Sequence, residues 1–169
     1  MSVPTWRRDE SKTEFLYQIY QLNIRIGQMT ANLPKKYHWS YGNDLVNMAL
    51  KALYSAQRIN REYMNSINYK ESYILRTELC NDIITCMDHI GTVAFIYFEI
   101  CKESPEIKGE KKSRLDKWEE EIGTTTNKIN GLIVGLKKSD KERYNDFLRK
   151  DTTMCTTKET INQVIKESV

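Results

Sequence analysis

Over residues 70–102, apolar side chains return every three or four positions without a break. Leu75, Leu79, Ile83, Cys86, Ile90, Val93, Tyr97 and Cys101 make up this stripe. A period near 3.6 puts them on one side of an α-helix roughly 50 Å long. One helix cannot cover such a stripe by itself, so it needs helices of comparable length beside it. Read alone, the β-branched and aromatic run Val93-Ala94-Phe95-Ile96-Tyr97-Phe98 also suits a strand. The 3–4 spacing on both sides of it favours helix. Because residues 93–100 are apolar almost all round, the pattern predicts burial on more than one side.

Three further stripes supply the partners. Phe15, Ile19, Leu22, Ile26, Met29 and Leu33 mark a helix over residues 9–32, which Pro34 ends. Leu45, Ala49, Ala52, Ala56, Ile59 and Tyr63 mark a second. It is alanine-rich, so a neighbouring helix can approach closely, and Asn43 or Asp44 is suited to cap its first turn. Leu115, Trp118, Ile122, Ile129, Leu132 and Leu136 mark a fourth over residues 110–136, with Thr125 in the gap of the stripe. Its seven-residue spacing suits antiparallel packing. Turns are expected near residues 65–68 and at Ser104-Pro105.

With 169 residues, 7 Gly and 3 Pro, the chain is too short for several domains and too poor in turn residues for a β-sandwich. The predicted fold class is all-α: an antiparallel up-down four-helix bundle over residues 8–138. A C-terminal extension over 139–169 follows, a short helix around Tyr144, Phe147 and Leu148 and then a threonine-rich tail bearing Ile161, Val164 and Ile165.

Several functions find no support. The longest uncharged apolar run, residues 90–100, is too short to cross a bilayer, and the first ten residues lack the apolar stretch of a signal peptide. A cytoplasmic protein with no membrane partner is expected. Cys80, Cys86, Cys101 and Cys155 show no CxxC spacing and read as thiols, three of them on one apolar segment. Cys86 and His89 share a helix face, but no second pair completes a metal site. No GxSxG turn and no phosphate-cradling glycine loop occur. Glu119-Glu120-Glu121 is consecutive, so its carboxylates point different ways and form a solvated face rather than a catalytic pair. The chain is expected to be no enzyme, with no cofactor and no metal.

The net charge of +3 hides segregation. Residues 69–104 are net acidic, whereas 1–40 and 105–138 are net basic. Arg58 and Arg61 lie three apart near the end of the second helix. Lys111, Lys112, Arg114 and Lys117 cluster with Lys108 at the entrance to the fourth. These six are the first candidates for nucleic-acid phosphate contacts. Lys35, Lys36, Lys137 and Lys138 are the second, the last two also suiting the negative end of a helix dipole. Tyr37, Trp39 and Tyr41 can serve as interaction anchors or pack over the end of the bundle.

Three stretches resemble a known family. Leu33-Pro34-Lys35-Lys36-Tyr37 followed by Tyr41-Gly42-Asn43 is similar to the first inter-helix junction of the accessory variability determinant (Avd-like) proteins of diversity-generating retroelements. Residues 76–100 resemble that family's third helix. Trp118-Glu119-Glu120-Glu121-Ile122-Gly123 through Gly131-Leu132-Ile133-Val134-Gly135-Leu136-Lys137-Lys138 resembles its closing helix, with Leu136 where the family commonly has tryptophan. The resemblance covers residues 12–138. It implies an up-down four-helix bundle assembled as a homopentameric ring. The implied role is that of an accessory protein binding a reverse transcriptase and nucleic acid, RNA or DNA, in mutagenic retrohoming. The related bundles encoded in ribosomal RNA intervening sequences imply the alternative, a protein–protein scaffold without strong nucleic-acid affinity.

Overall fold

The computed structural model describes residues 14–65 and 67–167, with side chains as far as residue 150. Arg7, Arg8 and the predicted helix start at residue 9 lie outside the described residues, as do the side chains of Cys155, Ile161, Val164 and Ile165. The helices are α1 (Glu14–Ala31), α2 (Asn43–Arg61), α3 (Tyr69–Lys102) and α4 (Glu110–Glu167), and no strand occurs among the described residues. The fold is all-α. A 3₁₀ turn (Lys35–Tyr37) and a π-helical turn (His38–Gly42) join α1 to α2.

Apart from Tyr63, the predicted stripes form one core. Ile19 and Ile26 of α1, Ala52 and Ile59 of α2, Ile83 and Ile90 of α3, and Ile122 and Ile129 of α4 are buried together. α1 packs on α2 and α4, and α3 packs on the same two helices. Polar pairs record the register. Between α3 and α4, Arg76 meets Asp140 at 2.7 Å, Asn81 meets Lys137 at 2.6 Å, Asp88 meets Asn130 at 2.9 Å and Lys102 meets Asp116 at 2.6 Å. Between α1 and α4, Glu14 meets Lys128 at 3.1 Å and Arg25 meets Glu121 at 2.7 Å. Between α2 and α3, Asp44 meets His89 at 2.8 Å and the Ile59 carbonyl meets Arg76 at 2.7 Å. In each pair of helices, residue numbers fall along one as they rise along the other.

Four expectations need correction. α4 does not stop near Leu136, and the separate helix expected over residues 140–150 is its continuation. Ser139-Asp140 contains neither proline nor glycine, and Asp140 lies seven residues beyond Ile133, so it falls in core register and is 1% exposed. Tyr144 and Phe147 then stack on α3, with ring centroids 4.3 Å from Tyr73 and 4.4 Å from Tyr69. Tyr63, assigned to the stripe of the second helix, lies beyond the end of α2 and is 76% exposed. Thr126, not Thr125, fills the gap in the α4 stripe, where its hydroxyl donates to the Ile122 carbonyl. Neither Asn43 nor Asp44 caps α2, because the preceding π turn runs directly into it and the Asn43 amide bonds to the His38 carbonyl.

By length and composition alone α3 could cross a bilayer, with a mean hydropathy of 1.4 over its most apolar 18-residue window. Unbroken apolar runs in the sequence miss this. Its apolar stripe packs against α2 and α4.

One side chain ties three helices together. The Arg76 guanidinium grips both Asp140 carboxylate oxygens, Nε at 2.7 Å and Nη2 at 3.1 Å. Its Nη1 donates to the carbonyls of Ile59 at 2.7 Å and Glu62 at 2.9 Å. Those carbonyls end α2 and have no partner within their own helix, so the arginine satisfies them and complements the helix dipole. The Arg76 and Asp140 side chains are only 11% and 2% exposed. Removing one partner of such a pair strands a buried charge, whereas replacing both with apolar groups does not. Arg76→Ala is therefore expected to lower unfolding free energy by about 3–5 kcal/mol in urea titrations. The paired Arg76→Met, Asp140→Leu variant should recover much of that loss.

Candidate nucleic-acid interface

The α1–α2 linker and the α3–α4 loop meet at one end of the bundle. Leu33 caps the α1 stripe and Pro34 turns the chain outward, delivering Lys35 to the rim. From the other side, Ile107 tucks inward at 9% exposure, and the turn at Gly109 leads into α4. That glycine has φ of 55°, a left-handed backbone conformation that glycine adopts at no steric cost. Between these segments lies an open cleft of about 470 Å³. Leu33, Pro34, Ile107, Leu115 and Trp118 supply apolar and aromatic lining, and Lys35, Lys111 and Arg114 supply cations. Glu106 contributes one carboxylate and Asn32 an amide.

Four acids nearby, Glu99, Asp116, Glu119 and Glu121, pair with Lys102 or Arg25. Lys102 at the end of α3, its side chain 9% exposed, is met by Glu99 and Asp116 at 2.6 Å and by Glu119 at 3.0 Å. Burial lowers the pKa of this ammonium, but the three carboxylates outweigh burial and hold it above the ordinary lysine value. Arg25 of α1 takes Glu121 through two bonds of 2.7 Å and lies 5.9 Å from the Trp118 ring centroid. Hydrogen bonding to Glu121 raises the Arg25 pKa despite partial burial. By contrast, among the described residues no carboxylate lies in ion-pair contact with Lys35, Lys111, Lys112, Arg114 or Lys117. Asp116, Glu119 and Glu121 of early α4 are paired with cations of α3 and α1, whereas Glu110 and Glu120 are exposed, as are Lys111, Lys112, Arg114 and Lys117.

The ten candidate cations do not form one surface. Lys35, Lys111 and Arg114 share the cleft. Lys36 and Lys112 are exposed beside it, and Lys36 lies 5.1 Å from the Tyr37 ring. Lys117 borders a separate shallow groove with Glu120, Glu121, Thr124 and Thr125. Arg58 and Arg61 are exposed in the last turn of α2, where Arg58 lies over the Tyr54 ring at 5.8 Å. Lys137 donates to Asn81, and Lys138 is exposed. This second group sits at the Arg76 end of the fold, roughly 30–40 Å from the Lys102 end at 1.5 Å per helical residue.

The three linker aromatics part company. Tyr41 turns inward and stacks on buried Tyr97 at 5.8 Å, and Tyr37 is half-buried against the core. Trp39 is 84% exposed. Trp118 and Ile107 are cleft residues that sequence reasoning placed only in the core stripe or left unremarked. The signal for Trp118 was its position three residues after Leu115, at the edge of the α4 stripe rather than its centre.

Nucleophile chemistry has little foothold. Cys80, Cys86 and Cys101 are buried free thiols. Burial pushes Cys80 and Cys101 up to about 11 and raises Cys86 as well. His89, three residues from Cys86, turns outward to Asp44 instead. No cluster of three or more His, Cys, Asp or Glu able to hold a metal occurs among the described residues. Comparison with protein-family models, curated proteins and solved structures yields no match for the chain.

Thiols that hold their protons in the fold favour the folded state until the unfolded chain begins to ionise. Their contribution is complete below the ordinary value of 9.0 and lost as pH climbs through about 11. The urea midpoint should therefore drop between about pH 8 and about pH 10.5, and Cys101→Ala should show a smaller drop.

Proposed function

We propose that the chain is a non-catalytic binding module whose cleft end contacts nucleic-acid phosphates. The observation that carries this reading is charge sorting: Lys35, Lys111 and Arg114 share a cleft while Asp116, Glu119 and Glu121 pair with Lys102 and Arg25. Cations with no carboxylate in contact are the ones that can exchange counterions for phosphates. In this reading the helices form an antiparallel up-down four-helix bundle, supported by the opposed residue numbering of the polar pairs between neighbouring helices. Its accessory role follows the Avd-like resemblance: self-association, with a homopentamer as the proposed assembly, and docking to a reverse transcriptase acting on RNA or DNA. Arg58, Arg61, Lys137 and Lys138 become a secondary set on this account, available to partners at the opposite end.

The scaffold alternative has its own support in the exposed apolar side chains Ile24, Leu50, Tyr54 and Phe95, which are 41–61% exposed. Leu50 and Tyr54, four apart on one face of α2, are the pair among them that would serve a protein partner if joined into one patch. Binding under two salt conditions separates the readings. Wild-type protein should bind RNA or duplex DNA at about 50 mM salt and lose most of that affinity at about 200 mM. Lys111→Ala with Arg114→Ala should weaken binding and lower the log–log salt slope by about 1–2, whereas Arg58→Ala with Arg61→Ala should have a smaller effect. Absence of binding at low salt would favour the scaffold.

A further inference from the structure

Tryptophan is seldom left in water without a use, and Trp39 is 84% exposed on a well-anchored turn. Its neighbours hold that turn in place. Tyr41 stacks on Tyr97, and Gly42 lies so close to His38 that a Cβ there would stand 2.8 Å from the imidazole Nδ1. π-helical turns are rare and often mark functional sites. Trp39 follows Lys35 by four residues through two tight turns, about 6 Å at helical rise. It therefore belongs to the same linker, at the same end of the bundle, as Lys35, which lines the cleft with Lys111 and Arg114. An exposed ring on the linker that also carries a cleft cation, with no carboxylate in ion-pair contact with Lys35, Lys111 or Arg114, supplies the two elements of a single-strand site, a stacking platform and a phosphate track.

We infer that this end binds single-stranded nucleic acid, with a base stacked on Trp39 and the adjoining phosphates on Lys35, Lys36, Lys111 and Arg114. The inference rests on the nucleic-acid reading above and adds its substrate class. Every base has a π face, so the contact is tolerant of sequence. A duplex hides those faces in its own stack, and Trp39 gains nothing from it. Glu106 in the cleft disfavours a second phosphate close by and leaves the apolar lining of Leu33, Pro34 and Trp118 for the neighbouring base or sugar.

Fluorescence anisotropy with a labelled twelve-residue oligouridine and a labelled DNA duplex tests this at about 50 mM salt. Trp39→Ala, a change at an exposed side chain, should weaken single-strand binding roughly 5- to 100-fold and leave duplex binding unchanged. Trp39→Phe should keep most of the affinity. Lys111→Ala with Arg114→Ala should weaken both ligands. If Trp39→Ala leaves single-strand binding intact, or weakens both ligands equally, the inference fails while the nucleic-acid reading stands. If the wild-type protein binds neither ligand, both fail together. A Trp39-dependent association with anionic phospholipid vesicles, without any Trp39-dependent oligouridine binding, would also overturn it.

Discussion

The Arg76 guanidinium fixes how the helices stand against one another. It belongs to α3, closes the end of α2 through two carbonyls and grips Asp140 of α4 with its two remaining nitrogens. A bidentate arginine–carboxylate pair permits few alternative geometries. Rotating or sliding α4 by one residue would lose Asp140 and leave Arg76 buried without its partner. Helices are stiff, so a register set here is carried along α3 to Lys102, where Asp116 and Glu119 are waiting. The position of early α4 beside the α1–α2 linker, and with it the cleft, follows from this alignment.

Charge sorting at the far end is the second consequence. Lys102 and Arg25 draw Asp116, Glu119 and Glu121 of early α4 toward α3 and α1. Neighbouring helical residues point in different directions, so Asp116, Glu119 and Glu121 reach Lys102 and Arg25 while Lys111 and Arg114 line the cleft. The sequence there is nearly balanced in charge, yet the cleft is lined by three cations and a single carboxylate. Net charge says little about such a site, because the fold decides which charges remain available.

The helices were legible because four stripes with a 3.6-residue period leave little choice of secondary structure. Arg76 and Asp140 were also legible in principle. Each occupies the core register of its helix, Arg76 seven residues before Ile83 and Asp140 seven after Ile133. Two opposite charges in core register, on segments expected to pack together, signal a buried pair. In the sequence Asp140 reads as lying past the end of the fourth helix, since a charge there interrupts the apolar stripe. The same reasoning hid the continuity of α4. The cleft was half legible: Lys35, Lys111 and Arg114 stood out as basic residues, but their proximity depends on two loops meeting. Arg58 and Arg61 looked equivalent to them, because spacing along a chain does not show at which end of a bundle a residue lies.

On the proposed function, ligand phosphates and bases meet the linker end of the bundle, not the Arg76 end. Ultraviolet crosslinking of a 4-thiouridine RNA oligomer to the full chain, read by peptide mass spectrometry, tests that location directly. Crosslinks should fall on peptides covering residues 32–42 and 106–118, with Trp39 prominent. Crosslinks concentrated on residues 54–63 and 137–150, with none at the linker, would contradict it.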